Sequence, residues 1–353
     1  MPTLTTINGL SVAVELPAPG TRTERPPLLF VHGLLGGAWY FEKYQRYFAR
    51  LGYPTYAVNL RGRPGSRSVA DMGRVSLGDY VQDVLDVAQV LDGPVVVGHS
   101  MGGLIAQKVG ESAAPRALVL LCPAPPAGIP LVSARLLVRQ LKYLPRILRS
   151  RPLQGTFADS CALTLNRVPA VEQRVLHDRF VADSGQVGRE ISFGALRVDA
   201  RKVGCPVLVV SGSHDRFVPP RIARKVAAKY GAPFREYLDH AHFIIWEPGW
   251  ERPARDVEHW LDRTLALGGH DTPGDILLES LAQQRGKRVE LRFLDGHVVR
   301  AKLIAVDFED PSEIIYEVHQ VVRVGPAELA AVYPGKVAAA SLQELGDYEV
   351  LRG

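Results

Sequence analysis

The chain has 353 residues, of which 46% are hydrophobic and 22% are charged, a balance that excludes a disordered or collagen-like protein. The net charge of +5 is divided unevenly, because residues 271–353 hold 9 basic and 14 acidic side chains, or −5, which leaves +10 on residues 1–270. A basic body with an acidic tail indicates two modules. No stretch approaches the roughly 18 apolar residues of a membrane span, and Met1 to Gly20 lack a signal-peptide pattern, so we expect a cytosolic protein.

The predicted elements alternate between strands and helices. Thr3 to Glu15 predict a hairpin around Asn8-Gly9, a dipeptide that favours a tight turn. Short apolar runs typical of buried strands follow at Leu28 to Val31, Thr55 to Asn59, Val95 to Gly98, Ala117 to Cys122 and Val207 to Gly212. Helical patterns separate them at Phe41 to Leu51, Leu77 to Leu91, Leu104 to Ser112 and Pro219 to Tyr230. The alternation predicts an α/β fold, with a mostly parallel sheet covered by helices on both faces.

Two segments break this alternation. The segment from Pro123 to Lys202 is too long for a crossover connection and has a helical pattern, so we expect an inserted cap over one end of the sheet. After a helical pattern at Val257 to Leu267 the composition turns acidic. Antiparallel strands are predicted at Arg288 to Phe293, Val298 to Asp307, Ile314 to Val318 and Val321 to Val324, with a turn at Asp295-Gly296. The predicted domains are therefore a core of residues 1–122 and 203–267, a helical cap of residues 123–202, and a small β module of residues 268–353.

A candidate nucleophile lies where a predicted buried strand meets a predicted helix. This junction carries the pattern G-x-S-x-G, as Gly98-His99-Ser100-Met101-Gly102. Two glycines permit a sharp turn that lifts the serine oxygen clear of the sheet, while the helix N-terminus directs free N–H groups at the same point. Because a serine hydroxyl reacts poorly without a base, we expect Ser100 to be assisted by a histidine and a carboxylate.

His242 is the preferred base, because it follows the strand pattern of Arg235 to Leu238 and lies on the loop after it. His240, two residues away, is the competing candidate. The acid is predicted to be Asp215, which comes after the strand Val207 to Val210. The end of the preceding strand is the other position from which an acid commonly reaches the histidine in such a fold, but that strand runs into Cys122-Pro123 and offers no carboxylate.

The tetrahedral oxyanion needs two N–H donors. One is expected from Met101, directly after the nucleophile, and the other from Leu34 in the loop His32 to Gly37, with Leu35 as the alternative.

Residues 1–267 resemble the α/β-hydrolase superfamily. The resemblance rests on five ordered motifs: His32-Gly33, Asn59 to Gly62, the elbow Gly98 to Gly103, Gly212 to Asp215, and His242 to Pro248 with Glu247. The chain departs from the family where members commonly have aspartate-arginine-glycine-histidine-glycine, since it has Asn59-Leu60-Arg61-Gly62-Arg63-Pro64-Gly65. That segment is mainly structural in the family. Dehalogenases and epoxide hydrolases of the superfamily place aspartate at the elbow, so Ser100 favours acyl transfer to water.

The resemblance implies a serine hydrolase of carboxylic esters, similar to carboxylesterases and lipases, that needs no metal or organic cofactor. Lactonases, amidases, carbon–carbon hydrolases and acyltransferases would use the same residues, and a non-catalytic binding protein with this fold is the alternative from another class. Cap helices in this family roof the acyl pocket. An apolar pocket for a small-molecule ester, with a preference for medium acyl chains over acetyl, is expected to be lined by Leu35, Trp39, Tyr40, His99 and Phe243.

Residues 131–151 carry six basic side chains and no acidic one, interleaved with leucines. Such a segment either contacts an anionic membrane surface, guides an anionic substrate, or covers the active site while its arginines face water. The three cysteines, Cys122, Cys161 and Cys205, are too far apart for a disulfide framework or a metal knuckle, so isolated reduced thiols are expected.

The tail resembles Sm-like or SH3-like small barrels, chiefly at Gly286 to Gly296. Such barrels often bind RNA, but a charge of −5 disfavours phosphate contacts. We therefore expect a packing or homo-oligomer assembly module and no nucleic-acid partner.

Overall fold

The computed structural model describes residues 2–19, 25–131, 139, 141–265, 284–293, 298–307, 313–323, 337–341 and 345–351. They belong to two compact units, Met1–Leu267 and Gly268–Gly353. Within the described residues, none of the helices combines the length and the apolar character that crossing a membrane requires.

An eight-stranded sheet forms the centre of the first unit, in the order β1-β2-β4-β3-β5-β6-β7-β8. Its strands are β1 Thr3–Ile7, β2 Leu10–Glu15, β3 Leu28–Val31, β4 Thr55–Val58, β5 Val95–His99, β6 Ala117–Leu121, β7 Val207–Gly212 and β8 Phe234–Tyr237. The hairpin β1-β2 is antiparallel and β2 pairs antiparallel with β4, whereas every pairing from β4 across to β8 is parallel. The predicted α/β fold with a mostly parallel sheet is confirmed.

Helices cover this sheet and form the segment between β6 and β7. They are α1 Glu42–Arg50, α2 Leu77–Ala88, α3 Met101–Val109, α4 Leu144–Leu148, α5 Phe157–Asp159, α6 Ala170–Asp178, α7 Gly185–Ser192, α8 Pro220–Tyr230 and α9 Glu251–Thr264. A π-helical turn at Ser160–Thr164 follows α5, and short 3-10 turns lie at Ala38–Phe41, Met72–Arg74, Leu141–Tyr143 and Ala200–Lys202. The helices α4 to α7 lie within residues 123–202, the segment between β6 and β7 that was predicted to be a cap and that we refer to as the cap.

Alternation along the strands divides the core into two layers. In β5, Val96 packs into the cluster that contains Leu29 and Leu104, whereas Val95 and Val97 pack into the cluster on the other face. All three valines are fully buried. A strand whose successive side chains are all apolar is therefore buried on both faces, as the unbroken apolar runs predict.

The strand register brings the functional loops together. Val31 of β3 is the partner of Gly98 in β5, so the loop after β3 leaves the sheet beside the elbow at Ser100. Gly212 of β7 is the partner of Tyr237 in β8, so the two loops that follow these strands are also neighbours. Because the carboxyl ends of parallel strands meet at one edge of a sheet, all four loops converge there.

The second unit is a five-stranded antiparallel sheet in the order β12-β11-β10-β9-β13. Its strands are β9 Arg288–Phe293, β10 Val298–Asp307, β11 Glu313–Arg323, β12 Val337–Ser341 and β13 Leu345–Val350. The two strands predicted between Ile314 and Val324 are a single strand, β11, because the pairing to β10 continues past the exposed His319 and Gln320 through a register shift at His319. Neither β12 nor β13 was predicted from the sequence, and Asp295-Gly296 lies outside the described residues. The pairing shows an antiparallel sheet; closure into an Sm-like or SH3-like barrel is not shown.

Candidate active site

Ser100 occupies a strained turn between β5 and α3. Its backbone φ is 56° and its ψ is −118°, a conformation that an L residue adopts only under constraint. The glycines of the pattern leave room for this turn. A Cβ atom on Gly98 would come within 2.2 Å of the Gly102 carbonyl oxygen, and one on Gly102 would come within 2.0 Å of the Val31 carbonyl oxygen. The helix begins at Met101, three residues before the predicted start, because Ser100 itself is its N-terminal boundary.

Three side chains from distant parts of the chain form a hydrogen-bonded relay. The Nε2 atom of His242 lies 3.0 Å from the Ser100 Oγ atom, and its Nδ1 atom lies 2.8 Å from Asp215 Oδ2. Ser100 is 6% exposed, Asp215 5% and His242 3%, so bulk water barely competes for these bonds. With Nδ1 donating to the carboxylate, Nε2 is free to accept the serine proton.

Asp215 is held by the backbone of its own loop. Its second oxygen, Oδ1, accepts hydrogen bonds from the N–H groups of Phe217 and Val218, both at 2.8 Å. This arrangement leaves Oδ2 directed at His242. The Phe217 ring lies beside the imidazole, with ring centres 5.1 Å apart, and shields the relay.

Glu247 positions the loop that carries His242. Its carboxylate, 1% exposed, accepts from the N–H groups of Ala241 at 2.6 Å and Phe243 at 3.1 Å, on either side of the histidine. The competing base, His240, is fully buried, and its Nδ1 atom lies 3.3 Å from Glu247 Oε2. His240 therefore faces Glu247, whereas His242 reaches Ser100.

The candidate oxyanion donors are the N–H groups of Met101 and Leu34, and no hydrogen bond among the described residues uses either. Leu35, the alternative donor, is already engaged: its N–H donates to Asp183 Oδ2 at 2.8 Å. Leu35 also has a positive φ of 64°, so the loop turns sharply directly after Leu34. The geometry thus favours Leu34 over Leu35.

A cavity of about 90 Å³ opens onto Ser100 and His242. On the core side it is lined by Phe217 and by three residues expected there, Leu35, Tyr40 and His99. Its roof comes from the cap, as Gly155, Asp159, Ser160, Leu163, Thr164 and Phe180. Two residues expected in the lining lie elsewhere. Phe243 is fully buried in the core beneath Tyr40, and Trp39 lines a separate surface groove.

Two buried histidines beside the relay stay neutral. Burial, reinforced by the neighbouring His242, lowers the pKa of His99 to about 3, and burial with the nearby Arg63 lowers the pKa of His32 to about 3. His99 Nε2 lies 2.8 Å from the His242 carbonyl oxygen and must carry its proton to donate to it. His99 therefore holds the backbone of the base without carrying charge near it.

Cys122 lies next to Asp215 and His242. Its thiol and the ligand atoms of Asp215 and His242 all lie within 4.8 Å of one another. Burial raises the pKa of the Cys122 thiol well above its usual range, so the thiol stays protonated there. All three cysteines are free, and they lie apart from one another in the sequence.

One family of known proteins matches most of the first unit. Residues 28–260 match the alpha/beta hydrolase family. The chain belongs to this family. A curated relative of this chain is epoxide hydrolase 3 from Xenopus tropicalis, 27% identical over 236 residues, which are 60% of this chain and 64% of that protein. The match thus spans less than two thirds of the relative's length.

Several solved structures share the fold. A monoacylglycerol lipase from Paleococcus ferrophilus is 24% identical, with a TM-score of 0.57, and the match covers 72% of this chain and 99% of the lipase. An esterase from Thermogutta terrifontis is 18% identical, with a TM-score of 0.57 over 75% of this chain and 99% of its own. An esterase from Exiguobacterium antarcticum is also 18% identical, with a TM-score of 0.55 over 74% of this chain and all of its own. These identities establish the fold alone.

The first unit also contains a buried ion pair that was not predicted from the sequence. Arg63, in the segment that departs from the family pattern, is 3% exposed and donates from Nη2 to Asp183 of the cap. Its Nε atom donates to the Gly36 carbonyl oxygen at 2.7 Å. Because Asp183 also accepts from Leu35, this pair joins the cap to the loop of the candidate oxyanion donor. The departure itself was the available signal, since a long cation beside an oxyanion loop calls for a buried partner.

Proposed function

We propose that this hydrolase cleaves carboxylic esters through an acyl-enzyme on Ser100. The observation that supports this most directly is the relay from Ser100 through His242 to Asp215, with distances of 3.0 Å and 2.8 Å. A nucleophile, a base in reach of it, and a carboxylate that orients the base make up a full acyl-transfer apparatus. The N–H groups of Met101 and Leu34 supply the oxyanion donors.

In the acylation step, Ser100 Oγ attacks the ester carbonyl carbon while its proton passes to His242 Nε2. The carbonyl oxygen becomes an oxyanion held by the two N–H groups. Collapse of this tetrahedral intermediate breaks the bond to the alcohol oxygen, which takes the proton from His242 and leaves. Each oxyanion donor contributes about 3 kcal/mol to stabilising the transition state.

In the deacylation step, water takes the place of the alcohol. His242 Nε2 removes a proton from the water, whose oxygen attacks the acyl carbon and forms a second tetrahedral oxyanion. Collapse expels Ser100 Oγ, which regains its proton from the imidazolium. Asp215 stabilises the imidazolium in both steps, and the carboxylic acid product leaves.

The cavity suits an apolar and slender acyl group. Leu35, Leu163, Phe180 and Phe217 provide its apolar walls. Its volume of about 90 Å³ is small, well below the roughly 300 Å³ of pockets for drug-sized ligands. We expect kcat/KM for p-nitrophenyl esters to rise from acetate to butyrate and hexanoate. A steady fall from acetate upward would contradict the apolar acyl pocket.

Epoxide opening is the activity in the name of the curated relative, and the elbow residue bears on it. The resemblance places an aspartate nucleophile at this position in epoxide hydrolases, whereas this chain has Ser100. A serine hydroxyl activated by His242 forms an ester with an acyl substrate, which matches ester hydrolysis. Styrene oxide belongs in the substrate panel, and turnover of it above that of esters would reject the proposal.

Lactones, amides and carbon–carbon substrates would engage the same residues, so the panel includes an aryl ester, a γ-lactone, an anilide and a β-diketone.

The key variant is Ser100→Ala. It should lose covalent labelling by a fluorophosphonate probe and lose turnover by at least ~10³-fold, while its circular dichroism stays unchanged. Labelling retained at another serine, or a wild-type protein that labels at none, would overturn the proposal; the second outcome would favour a non-catalytic binding protein.

A further inference from the structure

The basic stretch predicted in the cap presents a surface of unusual composition. Leu141, Leu144 and Leu148 are 56%, 38% and 53% exposed. Their spacing of three and four residues places them on one side of the helical run that continues from the 3-10 turn at Leu141–Tyr143 into α4. Monomeric proteins rarely cluster exposed leucines in this way without a use for them.

Exposed cations surround these leucines. Lys142, Arg146, Arg149 and Arg151 are all exposed, and no acidic residue occurs from residue 131 to residue 158. Lys142 pairs with Asp159. Within the described part of the chain, Arg146, Arg149 and Arg151 form no ion pair, although Arg146 Nη1 donates to the Pro152 carbonyl oxygen at 3.2 Å. No carboxylate therefore neutralises these three charges. We refer to residues 141–151 as the basic leucine face.

The inner side of this segment is packed firmly. Ile147, which lies next to Leu148 in the sequence, is 4% exposed. Behind it, helix α7 presents glycines: a Cβ atom on Gly185 would come within 2.2 Å of the Arg151 carbonyl oxygen, and one on Gly188 within 3.7 Å of Ile147 Cγ1. Close backbone contact therefore fixes which side of the segment faces outward. The leucines do not cover the active site, so this part of the cap differs from a lid whose apolar side points inward.

The basic leucine face is joined to the roof of the cavity. Lys142 and Arg139 form ion pairs with Asp159, and Tyr143 donates to the same carboxylate. Asp159 in turn lines the cavity that opens onto Ser100. The Asp159 side chain therefore connects the basic leucine face directly to the roof of the cavity.

We propose that the basic leucine face docks this hydrolase onto an anionic lipid bilayer surface. Leucines that enter the headgroup boundary, flanked by cations that meet anionic headgroups, are the combination that a membrane interface stabilises. Charge complementarity selects the anionic lipid surface. An acidic protein partner would leave the three leucines without a matching group, and an apolar protein partner would leave the three arginines without one. The proposal rests on the surface and not on the ester chemistry of Ser100.

The test uses the full chain with Ser100→Ala, so that no lipid is hydrolysed, and vesicles of phosphatidylcholine alone or with about 30 mol% phosphatidylserine. We expect sedimentation with the mixed vesicles and little with phosphatidylcholine, and loss of binding in about 0.5 M NaCl, which screens surface charges. Replacing Arg146, Arg149 and Arg151 by Gln should weaken binding on the order of 100-fold, since each cation near such a surface contributes about a factor of five. Replacing Leu141, Leu144 and Leu148 by Ser should also release the protein.

Matched controls remove the same groups elsewhere. The triple variant R50Q/R116Q/K225Q removes three exposed cations distant from this segment in sequence, and L4S/L16S/V90S removes three exposed apolar side chains. Both should keep wild-type binding. When Ser100 is kept, the variants of the basic leucine face should hydrolyse a soluble p-nitrophenyl ester at the wild-type rate. This measurement separates membrane docking from the ester chemistry.

Equal binding to both vesicle types, equal losses in control and test variants, or binding to an RNA oligonucleotide in place of vesicles would each overturn the docking proposal. A failure of ester turnover with vesicle binding intact would overturn the proposed function alone.

Discussion

The Asp183→Asn substitution tests whether the cap supports the catalytic loop. Asp183 is fully buried and accepts four hydrogen bonds: from Arg63, from Tyr80 Oη at 2.6 Å, and from the N–H groups of Leu35 at 2.8 Å and Ser184 at 2.7 Å. Asparagine keeps the shape but removes the charge. Asp183 Oδ1 accepts from Tyr80 and Ser184 and Oδ2 from Arg63 and Leu35, so the amide NH₂ group would face two of these donors whichever way it is turned.

The expected loss of stability is large. Removing one partner of a buried ion pair costs about 3–5 kcal/mol, because the other charge stays in the interior. Among the described residues Arg63 has no other carboxylate partner, and its Nη1 atom already lacks a hydrogen-bond partner there. Such a loss is a large part of the roughly 5–15 kcal/mol that stabilises a typical protein. Arg63→Met should cost less, because Asp183 keeps three other donors.

Activity should fall together with stability. Leu35 is tethered through its N–H to Asp183, and the candidate oxyanion donor Leu34 directly precedes it. Loss of the tether lets that N–H move, and a fully lost oxyanion donor costs about 10²–10³-fold in kcat. We expect a decrease in kcat of roughly 10- to 100-fold for the folded fraction, with KM changed by less than about threefold, since the tether acts on the transition state.

Urea unfolding followed by tryptophan fluorescence is the suitable assay, because all four tryptophans lie between Trp39 and Trp260 and report on the first unit alone. The matched control is Asp178→Asn, whose partner Arg174 is 3.8 Å away on an exposed helix face; it should change stability by less than about 1 kcal/mol. An Asp183→Asn variant within about 1 kcal/mol of wild type would refute the supporting role of the cap. Simple addition of the effects of Arg63→Met and Asp183→Asn in the double variant would refute it equally.

Three further outcomes are expected. Glu247→Gln turns an amide N–H₂ group toward the N–H of Ala241 or Phe243. The free energy of unfolding measured in urea should therefore decrease by about 1.5–3 kcal/mol, and kcat should fall by more than KM rises. An unchanged kcat would contradict the positioning role of Glu247. Gly102→Ala places a methyl group 2.0 Å from a carbonyl oxygen, so this variant should not accumulate as folded protein. The control Gly204→Ala, at an exposed glycine with nothing within 4 Å, should accumulate normally. A soluble and active Gly102→Ala variant would show that the close approach is absent. His99 and His32 have folded pKa values of about 3 against 6.5 in the unfolded chain, so the unfolded state binds more protons below pH 6.5. Stability therefore falls as pH falls, by up to about 1.4 kcal/mol per pH unit for each of these histidines. His99→Gln should lower the slope of stability against pH between about pH 6.5 and 5 by up to that amount, and a slope equal to that of the wild type would contradict the prediction.

Local patterns predicted the fold of the first unit because its strands are buried on both faces. The runs at Leu28 and Val207 end within a residue of the observed strands, since a continuous apolar run has a clear boundary. The second unit was harder to predict. One face of its strands is polar, so His319-Gln320 gave the pattern of a break inside β11, and the alanines of β12 gave no strand signal.

The candidate relay was predictable for a different reason. Ser100 and Asp215 come after strands that the apolar pattern identifies, and His242 comes after the strand pattern of Arg235 to Leu238. The loops at the carboxyl ends of parallel strands share one edge of the sheet. The choice between His240 and His242 could not be made in this way. Both lie on the same loop, and only the tertiary position of Glu247, which takes up His240, separates them.

The contacts of the cap produce no periodic pattern in the sequence, and for this reason the role of Asp183 was not predicted. It lies 148 residues from Leu35 and 120 residues from Arg63, and a polar residue in a loop carries no sign of which distant donor it will meet. Its contacts nevertheless limit substitution at this position more than packing limits substitution of the apolar pocket walls. A wall leucine can be exchanged for another apolar residue, whereas a carboxylate that holds a buried arginine and a catalytic loop at once has no substitute of the same charge and length. Changes in substrate preference should therefore arise among the roof residues around Leu163, while Arg63 and Asp183 stay paired.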